Sequence, residues 1–209
     1  MREACLAAAV GGLVGVMSAR LAVFAYGSLA SLASAERTLG RPVESADPAR
    51  LAGWRRSWSQ ARDNVRSEKT FARADGTMPP YCLGLNIERR GGPGPNGALI
   101  EIAEEELDRL AVREIRYDLV EVTAEIAAAE PLALDRVVTF TAKPSNYAEP
   151  PPPGAVILAS YARAVEAAFE SLGPGQLELF RETTGAHPVK IVEGVLVRDR
   201  IPAGNPREW

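Results

Sequence analysis

The sequence predicts an α+β fold with mostly antiparallel strands, arranged as a small mixed or antiparallel β-barrel with flanking helices. Alternation of apolar and polar residues over 81–88 is typical of a half-buried strand. A glycine-rich turn at 91–97 leads into a second strand at 98–102, so we expect these two strands to pair as a hairpin. An apolar stripe at intervals of three and four residues over 157–172 predicts an amphipathic helix.

The first third of the chain contains two predicted strands. Residues 21–26 (LAVFAY) form an apolar run that ends at Gly27-Ser28, which predicts a buried strand followed by a tight turn. Residues 30–48 are rich in small residues and interrupted by glycine and proline, so we expect irregular structure that includes a helical turn. Residues 51–61 are predicted to form a strand, and residues 62–79 a polar loop.

The remaining elements follow from the same patterns. Residues 118–126 carry apolar side chains at period two and predict a strand, as do residues 136–142. The segment 143–154 contains four consecutive prolines and cannot form regular structure. The last predicted elements are a helix at 176–183 and a strand at 189–197.

Length and composition narrow the function classes. The 209 residues suit one domain, which we place at 17–209, and the net charge of −3 does not favour nucleic acid or an anionic membrane as a partner. The two cysteines form neither a disulfide framework nor a metal-binding spacing, which favours a reducing, cytoplasmic location. The single histidine argues against catalytic triads and histidine-rich zinc sites.

The first 16 residues are treated separately. Arg2 precedes an apolar run that looks like a short signal peptide, but no clear small-x-small cleavage site follows it. The run is too short and too rich in glycine to span a membrane. We therefore expect residues 1–16 to be a flexible N-terminal extension.

Glu114 occupies a position where a helix should carry an apolar side chain. Over residues 103–114, the apolar stripe runs through Ala103, Leu107 and Leu110, and its next member is Glu114. A carboxylate on this stripe loses hydration and also feels the negative end of the helix dipole. Both effects favour the neutral acid and so raise the pKa of the side chain. A glutamate with a raised pKa can act as a general acid or base near neutral pH.

A second interpretation of Glu114 stays open at this point. The same pattern also fits a helix that ends one turn earlier, which leaves Glu114 solvated or ion-paired with Arg113 or Arg116. Periodicity alone does not choose between these interpretations, because sequence patterns place the ends of helices only to within a few residues.

A further candidate site lies at Tyr26-Gly27-Ser28-Leu29, directly after the first predicted strand. Glycine allows a sharp turn there, and the N–H groups that follow can bind a carboxylate or a developing oxyanion. A four-residue motif of this kind is a weak signal when it stands alone.

The order of several motifs is more specific. The Tyr-Gly-Ser-Leu turn is followed by LAGWRR at 51–56, NGAL at 96–99, LDRLAVREIRY at 107–117, and Arg-Asp-Arg at 198–200. This order resembles the γ-glutamylcyclotransferase-like family over roughly residues 20–207. Two features depart from the family pattern: Leu110-Ala111 replaces a common Leu-Asp, and no proline follows the turn at the usual near spacing.

The resemblance implies a small β-barrel with flanking helices and an enzyme that cyclises a γ-glutamyl group. It implies that residues 26–29 grip the glutamyl head group and that Glu114 is the catalytic acid–base. The residues themselves add Tyr117, at a fixed distance from Glu114, and Tyr147 as candidate walls of the pocket.

The chemistry fits these residues without a cofactor or a metal. In a γ-glutamyl amide, the α-amine can attack its own side-chain carbonyl and release 5-oxoproline and a free amine, so the enzyme needs no nucleophile of its own. We expect a small-molecule γ-glutamyl substrate, no nucleic acid, no membrane, and a monomer or homodimer. The alternatives are a catalytically idle binder of a metabolite or protein, and a biosynthetic enzyme that removes a γ-glutamyl protecting group.

Three other candidates carry less weight. Ser28 with His187 lacks the context of a nucleophilic serine. Cys82 lies within a predicted half-buried strand and is interpreted as a packing residue. Arginines mixed with tryptophans are also typical of a surface that binds single-stranded nucleic acid, but in this acidic chain the patch is interpreted as a solvated strand face with extended arginines. It comprises Arg50, Trp54, Arg55, Arg56, Trp58, Arg62 and Arg66.

Overall fold

A computed structural model describes residues 19–92, 94–128 and 133–207. The expected extension at residues 1–16 lies outside the described residues. The helices are α1 (Leu32–Leu39), α2 (Leu107–Arg113), α3 (Ala159–Ser171) and α4 (Gln176–Thr183). The strands are β1 (Leu21–Ala25), β2 (Asp47–Leu51), β3 (Trp54–Asp63), β4 (Lys69–Ala72), β5 (Tyr81–Arg89), β6 (Asn96–Ile102), β7 (Tyr117–Glu121), β8 (Ile126–Ala128), β9 (Arg136–Ala142), β10 (Ile157–Leu158), β11 (Ile191–Val192) and β12 (Val195–Asp199).

A six-stranded mixed sheet forms the centre, in the order β7-β9-β1-β6-β2-β8. Strand β1 pairs antiparallel with β6, with Leu21 opposite Ile102, and parallel with β9, with Leu21 opposite Arg136. Strands β3 and β5 form a separate antiparallel ribbon, and β4 with β12 forms another. The predicted α+β fold with a curled, barrel-like sheet and flanking helices is confirmed.

Both faces of β1 are buried. Phe24 and Ala22 belong to the core between the central sheet and the β3–β5 ribbon, whereas Val23 and Leu21 pack on the side that α1 and α2 cover. A strand buried on both faces needs an almost continuous apolar run, and LAVFA provides it. The end of β1 therefore lies deep in the molecule, next to the turn that follows it. Within the described part of the chain, none of the helices has the length and apolar character that crossing a membrane requires.

Residues 30–48 are more regular than predicted, because they contain α1 and the start of β2. Gly40, which looked like an interruption, has φ +74 and ends α1 in the left-handed conformation that favours glycine at this position. The helix before it buries Ala35, Thr38 and Leu39 against the central sheet.

The predicted hairpin is wrong. Strand β5 pairs with β3, and β6 pairs with β1 and β2. Alternating apolar residues identify a strand but do not identify its partner. The loop between β5 and β6 instead carries the chain from the ribbon to the central sheet, where a Cβ atom on Gly97 would lie 2.5 Å from the Ala25 carbonyl oxygen.

Other boundaries differ in detail. The polar loop predicted at 62–79 contains β4, and the strand predicted at 189–197 divides into β11 and β12. The helix predicted at 157–172 begins with the short strand β10 before α3. Residues 136–142 and 176–183 form the predicted strand and helix with the predicted bounds.

Candidate active site

A cavity of about 480 Å³ lies between the β3–β5 ribbon, α3 and the C-terminal segment. A narrower pocket of about 50 Å³ adjoins it at the end of β1. The two share four lining residues, so they form one depression with an inner end; the shared residues are Ser28, Glu114, Tyr117 and Tyr161. Its size is typical of a small-molecule site.

The turn after β1 lines the inner end. Gly27 precedes a single 3₁₀ turn, Ser28–Ala30, which closes with a hydrogen bond of 3.0 Å from the Ala30 N–H to the Gly27 carbonyl. The N–H groups of Ser28 and Leu29 begin this turn and have no acceptor within it. No described residue accepts a hydrogen bond from them. The Leu29 side chain is buried in the core, so the polar groups of Leu29 that line the pocket are those of its backbone.

Gly27 has a different role from the one predicted. Its φ of −142° is not left-handed, so the turn does not need glycine for that reason. A Cβ atom at this position would lie 3.6 Å from Tyr161 Oη and 3.7 Å from Leu85 Cδ1. The missing side chain therefore keeps the inner end of the cavity open.

Glu114 closes α2, and its side chain lines both parts of the cavity. Its N–H donates to the Leu110 carbonyl at 2.8 Å, and its carbonyl accepts from the Tyr117 N–H at 2.8 Å. The carboxylate is 20% exposed and accepts a hydrogen bond of 3.0 Å from Arg113 Nε. Both sequence interpretations of Glu114 thus hold in part, because the residue reaches the cavity and is also ion-paired. The ion pair with Arg113 is the feature that the apolar stripe alone did not predict.

Arg113 is buried and joins Glu114 to α1 and to the turn after β1. Its Nη1 donates to Thr38 Oγ1 at 2.6 Å, and its Nη2 donates to Ser34 Oγ at 3.1 Å and to Ser28 Oγ at 3.4 Å. Sequence reasoning treated Arg113 only as a possible ion-pair partner. The available signal was its place in the last turn of the helix, directly before Glu114.

Three tyrosine hydroxyls face the inner end. Tyr26 Oη donates to the Phe140 carbonyl at 2.7 Å, and Tyr117 Oη donates to the Leu85 carbonyl at 2.8 Å. Tyr161 Oη accepts a hydrogen bond of 3.4 Å from the Leu85 N–H. Burial raises the pKa of Tyr26 and of Tyr117 well above the ordinary value, and burial with the nearby Glu114 charge raises the pKa of Tyr161 to about 12. All three phenols are therefore neutral at physiological pH.

Two tyrosines differ from their predicted roles. Tyr161 lies within the apolar stripe that predicted a helix at 157–172, a position typical of the helix core, but its hydroxyl reaches the cavity while its ring packs edge-on against Trp58. Tyr147 was predicted to be a wall of the pocket, but it lines neither part of the cavity. Its hydroxyl instead contacts Glu149 at 2.8 Å and Glu88 at 3.2 Å, outside the site.

Arg56 is also unlike its predicted state, because it is fully buried rather than on a solvated strand face. Its Nη1 donates to the carbonyl of Tyr26 at 3.2 Å and to that of Asn96 at 2.6 Å. The guanidinium lies over the rings of Phe169 and Phe180. Burial lowers the pKa of Arg56 to about 9, so it is still a cation at neutral pH. It holds the end of β1, where the turn begins.

The remaining sequence candidates lie away from this chemistry. The His187 ring packs against Trp58 at 5.0 Å and does not line the cavity, so it makes no triad with Ser28. Cys82 lines the outer part of the cavity but is 5% exposed, and burial raises the pKa of its thiol. Among the described residues, no group of three or more histidine, cysteine, aspartate or glutamate side chains is placed to hold a metal ion.

Comparison with known proteins identifies the fold. Neither a protein-family model nor a curated protein sequence matches the chain. A solved γ-glutamyl cyclotransferase matches with a TM-score of 0.52 and 16% identity, over 83% of this chain and 94% of that one. An uncharacterized protein from Homo sapiens matches with a TM-score of 0.54 and 17% identity over the same shares. A yeast γ-glutamyl cyclotransferase specific to glutathione matches with a TM-score of 0.48 and 13% identity, over 81% of this chain and 99% of that one.

The chain therefore has the γ-glutamylcyclotransferase-like fold. The resemblance predicted from the order of its motifs is confirmed at the level of the fold.

Proposed function

We propose that this protein is a γ-glutamylcyclotransferase that converts a γ-glutamyl amine, amino acid or peptide to 5-oxoproline and the free amine. The observation that carries the proposal is the meeting of two groups at the inner end of the cavity. The Glu114 carboxylate and the turn that begins with Ser28 line the same small pocket. A proton acceptor and unpaired N–H donors are what this cyclisation requires.

The reaction balances with one carboxylate. The α-amine of the glutamyl group attacks the γ-carbonyl carbon, a C–N bond closes the five-membered ring, and the original amide C–N bond breaks. Glu114 accepts the proton that the attacking amine loses and then donates it to the departing amine. Because nucleophile and electrophile belong to one molecule, the protein mainly has to hold a reactive conformation.

The surrounding groups support these steps. The unpaired N–H groups of Ser28 and Leu29 belong to residues that line this pocket, and we assign them to stabilise an oxyanion on the γ-carbonyl or to bind the α-carboxylate. Arg113 fixes the Glu114 side chain, since it contacts both α1 and the turn. Tyr117 and Tyr161 supply neutral hydroxyls to the same pocket. The described residues offer no metal-binding cluster, and the proposed chemistry does not need one.

Product identity tests the proposal. The purified protein is dialysed against a chelator, incubated with a panel of γ-glutamyl amines, amino acids and dipeptides, and its products are separated by mass spectrometry. We expect 5-oxoproline and free amine in equal amounts, with unchanged activity after dialysis. Release of glutamate would show hydrolysis by water and contradict cyclisation. Absence of any product across the panel would favour the catalytically idle binder instead.

A further inference from the structure

The outer part of the cavity is strongly cationic. Six basic side chains line it but only two acidic ones do; these are Arg37, Arg62, Lys69, Arg113, Arg116 and Arg207 against Glu68 and Glu114. The chain as a whole carries a net charge of −3, so this concentration of positive charge is local. A cavity with such a lining attracts a negatively charged ligand.

Most of these cations are already paired. Glu68 contacts both Arg116 and Arg207, Glu114 contacts Arg113, and Lys69 contacts Asp199. Arg37 and Arg62 differ, because none of the described carboxylates lies within ion-pair distance of either; Arg37 Nε donates instead to the Ala33 carbonyl of its own helix at 3.2 Å. The Arg62 guanidinium lies 5.2 Å from the centre of the Phe71 ring and interacts electrostatically with the Cys82 thiol.

Gln60 provides an independent sign of a ligand. It is 6% exposed and lines the cavity, yet its Nε2 donates no hydrogen bond within the described structure. An unpaired buried donor destabilises the protein, and a bound acceptor would offset that cost. A buried amide without a partner at the wall of a cavity is therefore expected to meet a ligand.

Gln60 lies next to the inner end. Gln60 is opposite Gly84 in the β3–β5 ribbon. A Cβ atom added to Gly84 would lie 2.9 Å from Gln60 Oε1, 3.6 Å from Tyr117 Oη and 3.8 Å from Tyr161 Oη. The absence of a side chain at Gly84 thus leaves room where Gln60 and the two hydroxyls converge.

Arg62 is the next residue on the same face of the strand. It is opposite Cys82, two residues along from Gln60, which is about 7 Å along a strand. Moving outward from Glu114, a substrate would therefore meet the tyrosine hydroxyls, then Gln60, and then Arg62. If the glutamyl group binds at the turn after β1, the departing amine of the substrate extends outward toward Gln60 and Arg62.

We propose that Gln60 and Arg62 form a leaving-group subsite that recognises a carboxylate on the departing amine. Gln60 donates to an oxygen of the leaving group, and Arg62 binds its carboxylate, a partner that the planar guanidinium suits. The preferred substrate is then a γ-glutamyl amino acid or short peptide with a free carboxylate, rather than a neutral γ-glutamyl amine. This inference rests on the proposed function for the placement of the glutamyl group.

The subsite is tested by binding, separately from turnover. In a Glu114→Gln protein, calorimetry compares γ-glutamylalanine with γ-glutamylalaninamide, in which a neutral carboxamide of similar size replaces the alanine carboxylate. We expect the carboxylate ligand to bind about 10- to 100-fold more tightly, the usual range for a charged hydrogen bond. Adding Arg62→Gln should remove this preference, and Arg62→Lys should retain part of it.

Matched controls separate the subsite from general charge and from folding. Arg66→Gln removes the same charge from a side chain that is 90% exposed, and it should leave the preference unchanged. Gln60→Met removes the unpaired donor at similar volume. It should weaken the binding of both ligands several-fold while the unfolding temperature stays the same or rises.

The outcomes distinguish the subsite from the reaction. Equal affinity for the two ligands, undetectable binding of both, or an equal loss for both on Arg62→Gln would overturn the subsite. If the parent protein nevertheless forms 5-oxoproline, the proposed function stands without it. A preference that Arg62→Gln abolishes, in a protein that forms no 5-oxoproline, would keep the subsite and refute the cyclotransferase activity.

Discussion

Arg113 Nε lies 3.0 Å from Glu114 Oε1, and the same guanidinium donates to Thr38 on α1. This places the proposed acid–base group at a junction of α2, α1 and the turn after β1. The position of the carboxylate is therefore set by a buried network rather than by its own flexible side chain.

Arg113→Gln should damage both stability and turnover. The change leaves the hydroxyls of Thr38 and Ser34 without their charged donor, and it removes the buried partner of Glu114. We expect a loss of about 3 kcal/mol in the free energy of unfolding, measured by urea denaturation. A variant with parental stability and parental activity would show that this network does not position Glu114.

Tyr161→Phe and Tyr117→Phe form a matched pair. Tyr161 Oη makes only a long contact of 3.4 Å to the Leu85 N–H, whereas Tyr117 Oη makes a hydrogen bond of 2.8 Å to the Leu85 carbonyl. We expect Tyr117→Phe to lower the free energy of unfolding by about 1 kcal/mol and Tyr161→Phe to change it less. Both should lower kcat/KM if the hydroxyls serve the substrate. Parental kcat/KM in both variants would limit these tyrosines to a structural role.

Gly27→Val should close the inner end of the cavity. Its side chain would enter the space between Tyr161 Oη and Leu85 Cδ1, and overpacking of this kind costs about 1–3 kcal/mol. The expected result is a large loss of kcat/KM. Ser28→Ala removes only a contact of 3.4 Å to Arg113 and should be mild, because the backbone N–H stays in place. A severe loss for Ser28→Ala, measured by steady-state kinetics, would instead assign the function to the hydroxyl.

Stability should fall in strong alkali. Burial raises the pKa of Tyr161 from 10.0 to about 12, so ionisation is easier in the unfolded chain. The contribution of the neutral phenol is fully present below pH 10 and is lost as the pH rises to about 12. Urea denaturation at a series of pH values measures this, with Tyr161→Phe as the control that should show a shallower fall. Equal pH dependence in the two proteins would contradict the assigned shift.

Sequence patterns predicted which segments form helices and strands better than they predicted which strands pair. The run at β1 and the stripe in α3 identified buried segments because burial imposes a period on the side chains. Pairing depends on contacts that are distant in the chain, so the expected hairpin between β5 and β6 was wrong. Helix α1 was missed because small residues carry a weak apolar signal, although Gly40 marked its end.

Site residues could be predicted where their role follows from a position in the local sequence, and not where it follows from the packing of segments that are distant in the chain. Glu114 and the turn at residues 26–29 were singled out from their positions in a helix and after a strand, and the structure brings them to one pocket. Arg56, Gln60 and Tyr161 reach their places through the β3–β5 ribbon and α3, and nothing in their local sequence distinguishes them from surface or core residues. Tyr117 had the better claim to the pocket through its fixed distance from Glu114, and Tyr147, the second candidate wall, does not line the cavity.

The most direct test of the account compares 5-oxoproline formation by the parent protein and by Glu114→Gln, at matched thermal stability. Glutamine keeps the shape of the side chain and can still contact Arg113, but it cannot carry a proton between the two nitrogens. The account predicts a loss of about 10²–10⁴-fold in the rate of 5-oxoproline formation with the fold intact. A Glu114→Gln protein that forms 5-oxoproline as fast as the parent would contradict the central claim that Glu114 is the proton shuttle.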